Sequence, residues 1–192
     1  MPYRIITRLI IISLGFSLMA YADTNTTRPA PQATDAALQT ARDYCKMMQS
    51  GEGVKAVEKY WNFDAMFDAI FGDDMKQVPD GDRAEMRKLM LGVIGRVYAN
   101  PKVNDLLANA TFDDFTTREL PDHRVVVDFN IRLASGKVLP NAFYWSQGSG
   151  GWRIVDAATN GKPMTEAIRN EYLRNPHGVT PVRYVRAMAG GH

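Results

Sequence analysis

Apolar and polar side chains alternate across Arg124–Leu133, and that alternation restricts the segment to a strand with one apolar face. Val125, Val127, Phe129, Ile131 and Leu133 fall on one side, and Arg124, Asp128, Asn130 and Arg132 on the other, with Val126 as the exception. Ser135-Gly136 and the run Gly148-Ser149-Gly150-Gly151 are turn signals. Phe143 and Trp145 share a face between those turns, and Trp152 and Ile154 share one after the second. Three antiparallel strands joined by short hairpins follow. Their common face is rich in aromatic and branched side chains. It either packs against helices or lines a cavity for an apolar ligand, and this stretch alone does not choose.

Upstream, Thr111–Leu120 is polar and β-prone, anchored by Phe112 and Phe115, and adds a strand before the Pro121-Asp122 turn. The segments before it carry helical periodicity. Asp35 is positioned to cap a helix with Leu38, Ala41, Cys45 and Met48 on one side, ended by Gly51-Glu52-Gly53. Val54, Val57 and Tyr60 suggest one or two further turns. After Asn62 as N-cap, Phe63, Met66, Phe67, Ile70 and Phe71 recur at i, i+3, i+4, i+7, i+8, and Gly72 stops the helix. Asp82 and Glu85 resemble a capping box ahead of the stripe Met86, Leu89, Met90, Val93, Ile94, Val97. Gly92 and Gly95 each weaken that helix by about 1 kcal/mol relative to Ala, which points to a close neighbour or room for a ligand. Asn100-Pro101 ends it, and Val103–Ala110 reads as a short helix. Beyond the strands, Thr165 is expected to cap a helix carrying Met164, Ile168 and Tyr172, broken by Asn175-Pro176. Thr180-Pro181 opens a last helix with Val182, Val185 and Met188. Helices, four consecutive antiparallel strands and two C-terminal helices make an α+β domain, with an apolar cavity between helices and sheet.

Met1–Ala22 has the layout of a secretory signal peptide: Arg4 and Arg8, an apolar run over Leu9–Met19, and Ala20-Tyr21-Ala22 before a cleavage point at Asp23. No Cys sits at that point, which disfavours a lipoprotein. The expected product is a soluble exported protein of a bacterial periplasm. Asp23–Thr34, with Pro29 and Pro31, reads as a disordered leader, and residues 35–190 as one domain. Two of the 23 basic residues leave with the signal segment, so 21 basic face 21 acidic residues in the remaining 170. A neutral chain without a basic stripe disfavours nucleic acid as a partner.

Catalytic and metal-binding patterns are sparse. His123, His177 and His192 are not paired at ligand spacing, and no P-loop, GxSxG, CxxC or HExxH is present. No metal or cofactor is expected. Cys45, the only cysteine, sits on an apolar helix face and reads as a buried thiol. Asp64 and Asp68 read as a solvated helix face, although Asp64, Asp128 or Asp156 entering a cavity would supply a general base. Ten methionines, most of them in or beside the helices, fill a core or fit an apolar ligand of variable shape.

Trp61–Asn100 resembles the MlaC-type, or toluene-tolerance, phospholipid-binding proteins of the bacterial periplasm. The resemblance rests on Phe63-Asp64, Met66, Ile70, Phe71-Gly72, Asp82-Arg83 and Tyr98-Ala99. Farther on it rests on Phe143-Tyr144-Trp145, on Trp152-Arg153-Ile154-Val155-Asp156, and on the helix after Asn160-Gly161. Lys162-Pro163 departs from the pattern of the family. The resemblance implies a carrier, not an enzyme, that takes phospholipid between two complexes. One is an inner-membrane ABC transporter with a lipid-binding ring protein, and the other contains an outer-membrane lipoprotein. Each buried CH₂ is worth ~0.8 kcal/mol, so two acyl tails of about sixteen carbons represent on the order of 25 kcal/mol and must be enclosed. By face periodicity, the tail contacts are Phe63, Met66, Ile70, Met86, Met90, Val93, Ile94, Val97, Val127, Phe129, Ile131, Phe143 and Trp145. Two other classes make different demands. A cone-shaped enzyme of the nuclear-transport-factor-2-like kind, acting on a small apolar substrate, needs a carboxylate in the pocket. An interaction module predicts a filled core.

Overall fold

The computed structural model describes residues 31–175 and 178–190. The signal segment, most of the leader, His177 and His192 lie outside them. Among the described residues, six helical elements, counting one 3-10 turn, precede the sheet: α1 (Pro31–Gln49), α2 (Gly53–Tyr60), α3 (Phe63–Phe71), the 3-10 turn Gly72–Gln77, α4 (Asp80–Tyr98) and α5 (Pro101–Ala108). Five strands follow, β1 (Thr111–Glu119), β2 (Val125–Arg132), β3 (Val138–Gly148), β4 (Gly151–Thr159) and β5 (Lys162–Pro163), then α6 (Met164–Arg174) and α7 (Pro181–Met188). The α+β class holds, and the sheet is antiparallel in sequential order β1-β2-β3-β4-β5. It has five strands rather than the expected four. Lys162-Pro163, the pair that departs from the family pattern, pairs with Ala158 and Thr159 at the edge of β4, a position where proline is tolerated.

Four helix starts differ from the expectation, the simplest being α5, which opens at Pro101 rather than Val103. Within the described residues α1 already runs from Pro31, four residues ahead of Asp35, and α4 opens after Pro79, with no side-chain cap, rather than at Asp82. The fixed φ of proline suits its place as the extended residue before α4. Thr165 is not the cap of α6, which starts at Met164. Its hydroxyl and backbone N–H instead donate to Asp156 of β4, at 2.6 and 3.1 Å. Asn62, Asn100 and Thr180 do cap their helices, each accepting from the backbone of the first turn.

Two bulges set what the sheet presents. In β1 the register slips between Asp113 and Thr116. The extra residue puts Phe112 and Phe115, three apart in sequence, against the same Phe129 ring, with centroids 6.1 and 5.4 Å away. In β4 the register slips opposite Tyr144 and Trp145, so Trp145 faces Ile154 and Tyr144 faces Asp156. Cross-strand partners share a face. Ile154 therefore lies on the aromatic side with Trp145, and Asp156 lies on the other side with Tyr144 and Val126. That other side is partly covered: Val126, the exception to the alternation, is fully buried with Ala142 and Ala158 beneath Leu120 and Tyr144.

The aromatic face of the sheet was expected to meet the α3–α4 pair. Instead α1 lies across it, with α2 beside α1, and α3 and α4 build a separate core with α6 and α7. The reason is the width of the α3 stripe. Phe63, Met66, Phe67, Ile70 and Phe71 are all buried, a band too broad for one sheet edge. Helix α2 divides the two cores, with Val57 in the helical core and Ala56 and Tyr60 in the sheet core. Its first residue has no room for a side chain. A Cβ on Gly53 would stand 2.8 Å from the Tyr98 ring of α4. We expect Gly53→Ala to push α2 from α4 and cost about 1–3 kcal/mol in urea denaturation; an unchanged midpoint would show that Tyr98 simply turns aside.

Candidate functional site

The expected tail contacts fall into two groups. Phe63, Met66, Ile70, Met86, Met90 and Val93 are buried in the helical core, with Ile94 packed at its margin. Val127, Phe129 and Trp145 are buried in the sheet core, with Ile131 and Phe143 at its margin. Val97 is half-buried and belongs to neither core. The residues are therefore brought together as two walls, not as the lining of one chamber. Among the described residues, Trp61 and Tyr98 pack against both cores and mark the seam between them.

Each wall is an aromatic ladder. Along α3, Trp61, Phe63, Phe67 and Phe71 follow one another at centroid spacings of 6.2–6.4 Å, and Phe71 continues to Tyr172 and Tyr184. Across the sheet, Phe129 meets Phe143 at 4.8 Å, Phe143 meets Tyr44 at 5.1 Å, and Tyr44 meets Tyr60 at 5.8 Å. Periodicity had not singled out Tyr44 or Tyr98, and had marked Tyr60 only as part of a short helix. Reading α1 from Ala37 through Ala41 and Tyr44 to Met48, at helical spacing, would have found the first of them.

The seam is polar at one point. The Trp61 indole Nε1 donates to the Tyr44 hydroxyl at 3.3 Å, beside the Tyr98 hydroxyl. Burial pushes the Tyr98 phenol up to about 12 and holds Tyr44 well above its ordinary value, so both stay neutral across the physiological range. Trp61 is also fixed through its backbone. It bridges Ile154 of β4, and Asn62 N–H donates to the Ile154 carbonyl at 2.8 Å. This contact occupies the β4 edge that β5 leaves open. Trp145 is fully buried, and its indole N–H has no hydrogen-bond acceptor among the described residues.

A surface pocket of about 430 Å³ opens beside Trp61 and Phe63, between α2, α3, α4 and the β3–β4 hairpin. Its rim holds Glu58, Arg153 and the ion pair Arg87–Asp64, 3.0 Å apart. A second pocket, of about 500 Å³, lies at α6 and α7. There the Tyr172 hydroxyl donates to Asp74 at 2.6 Å, and Arg186 forms a two-pronged pair with Glu85 at 2.8 and 2.6 Å.

The carboxylates that would serve a general base have other partners. Asp128 pairs with Arg118 at 3.3 Å on the sheet face away from the aromatics, and Asp64 pairs with Arg87. Burial raises the Asp156 carboxyl above its usual range, while donors from Thr165, Ala157 and Met164 oppose that rise. The Asp156 carboxylate is thus spent on anchoring α6. Cys45 is buried as expected, and burial pushes its thiol up to about 12.

Helices stacked against one antiparallel sheet, in two apolar cores that share Trp61 and Tyr98 along their seam, define the class of α+β domain to which this protein belongs. The chain belongs to the MlaC family: the family model described as MlaC protein matches residues 46–174. That span runs from the end of α1 to the end of α6 and contains the motifs that carried the resemblance in sequence. Among solved structures, the chain is similar to a phospholipid-binding protein from Ralstonia solanacearum in complex with a phospholipid. The TM-score is 0.64 at 14% identity, over 82% of this chain and 97% of that one. At that identity the likeness concerns the fold. No curated protein matches the sequence.

Proposed function

We propose that this protein is a periplasmic phospholipid carrier and not an enzyme. It receives lipid from one membrane complex and delivers it to another. Membership of the MlaC family carries this reading, and the phospholipid held by a relative of the same fold supports it. The partners are those the family implies, an inner-membrane ABC transporter with a lipid-binding ring protein and an outer-membrane lipoprotein. Within the chain, the seam suits the task. Apart from the polar point at Trp61, Tyr44 and Tyr98, an acyl tail along the seam has the apolar α3 and α4 residues on one side and the apolar sheet residues on the other. Asp64 and Asp128 are engaged by arginine and Asp156 by a helix start, which favours a carrier over an enzyme that would use one of them as a base.

The test is native mass spectrometry of the protein taken from a periplasmic extract, followed by solvent extraction of the bound material. The expected result is a polypeptide beginning at Asp23, carrying one diacyl phospholipid per chain. A protein recovered without lipid that also takes none from vesicles would overturn the carrier reading. A mass retaining Met1–Ala22 would overturn the export route separately.

A further inference from the structure

The pocket beside Trp61 carries charges that are not matched internally. Arg87 is neutralised by Asp64. Arg153 and Glu58, on β4 and α2, line the same mouth, and neither has an ion pair or side-chain hydrogen bond among the described residues. They do not reach each other. Arg153 lies along the hairpin, with a guanidinium nitrogen 3.3 Å from where a Cβ on Gly150 would stand, so the glycine there leaves the space it occupies. Below these groups the wall turns apolar at Trp61, Phe63 and Leu91, where the seam begins. Among the described residues, the mouth therefore offers one free cation and one free anion, with no net charge, beside an apolar patch of Trp61, Phe63 and Leu91.

We propose that this mouth is a headgroup site for a zwitterionic phosphodiester of the phosphoethanolamine type, with its phosphate on Arg153 and its ammonium on Glu58. Guanidinium is suited to phosphate by its fork of donors, and a carboxylate on the opposite wall favours an amine and repels a second anion. The inference rests on the carrier reading for its source of ligand, and it adds a preference that reading does not contain. An anionic phosphoglycerol head would satisfy Arg153 but leave Glu58 unmatched. One partly exposed charge contact supports a discrimination of about fivefold.

Purified protein is equilibrated with vesicles of equal phosphatidylethanolamine and phosphatidylglycerol, and the bound lipids are counted by native mass spectrometry. The wild type is expected to take the ethanolamine lipid about five times as often, and Glu58→Gln to bring the ratio to about one. Arg153→Gln is expected to weaken retention of both lipids without restoring the ratio. Glu58 is exposed and unbonded, so its variant is expected to fold, as circular dichroism will show. Equal uptake by the wild type, or an unchanged ratio in Glu58→Gln, overturns the proposal. If no lipid binds at all, the carrier reading fails, and glycerophosphoethanolamine and inorganic phosphate are titrated instead with amide and side-chain NMR. Shifts at both Glu58 and Arg153 with the ethanolamine ester, and at Arg153 alone with phosphate, support the headgroup site. Equal responses to the two, or none, overturn it.

Discussion

Replacing Asp156 with alanine is expected to lower stability by about 2–4 kcal/mol, because it orphans several donors at once. The Thr165 hydroxyl, at 2.6 Å, and the backbone N–H groups of Thr165 and Ala157, at 3.1 and 2.8 Å, all point at this carboxylate. Helix α6 begins after Pro163 and has no cap of its own, so its first turn depends on a side chain delivered from β4. Asp156→Asn keeps one acceptor oxygen and should lose less. The pH dependence has a definite sign. Burial raises the folded-state pKa of Asp156 above its unfolded value, so the fold binds this proton more readily than the unfolded chain does. Lowering the pH through the folded pKa toward about 4 therefore adds stability through this group. The advantage of the wild type over Asp156→Asn, measured by urea denaturation at several pH values, should grow over that window and then level off. An advantage that shrinks as pH falls would mean that the donors, rather than burial, govern the carboxyl.

Asp156 also shows where sequence reading reached and where it stopped. Alternation along Val125–Ile131 and the glycine turns were enough to establish the meander, and stripes at helical spacing located the cores of α3 and α4. What alternation cannot reveal is a bulge. Strict period 2 sets Ile154 and Asp156 on one face, and a single slip beside Trp145 moves the carboxylate to the other, away from the aromatic side where a catalytic acid would have belonged. The same limit hid the partners of each stripe. Periodicity names the side of α3 that is buried but not the element that buries it. That was settled by α6, α7 and the two-faced α2, whose eight residues are too few for a secure period. Trp61 and Tyr98 escaped notice as seam residues because packing against two cores is a property of arrangement, without a local signature. Tyr98 was nevertheless among the residues that carried the family resemblance, and Trp61 opened the stretch it covered, which lies within the span matched by the family model.

Phe67→Ala should produce the largest loss of any single truncation in the helical core, about 3–5 kcal/mol in the lipid-free protein. Phe67 is fully buried and is the middle rung of the α3 ladder, with Phe63 and Phe71 each 6.2 Å away. Its removal strips contacts from both and leaves a void that α3 cannot close, since Asn62 ties the start of the helix to β4 and Arg169 reaches the carbonyls of Ala69 and Ile70 near its end. The carrier reading adds a second consequence. If an acyl tail runs along this ladder, it can occupy the space the ring vacated, and bound lipid should return a substantial part of the loss. Thermal melts of wild type and variant, each stripped of lipid and then reloaded from vesicles, measure this directly. A deficit that narrows on reloading places the tail beside α3. An equal deficit in the two states would place the tail elsewhere, on the sheet wall formed by Phe129, Phe143 and Trp145, where the corresponding truncation Phe129→Ala should then show the lipid-dependent recovery that Phe67→Ala lacks.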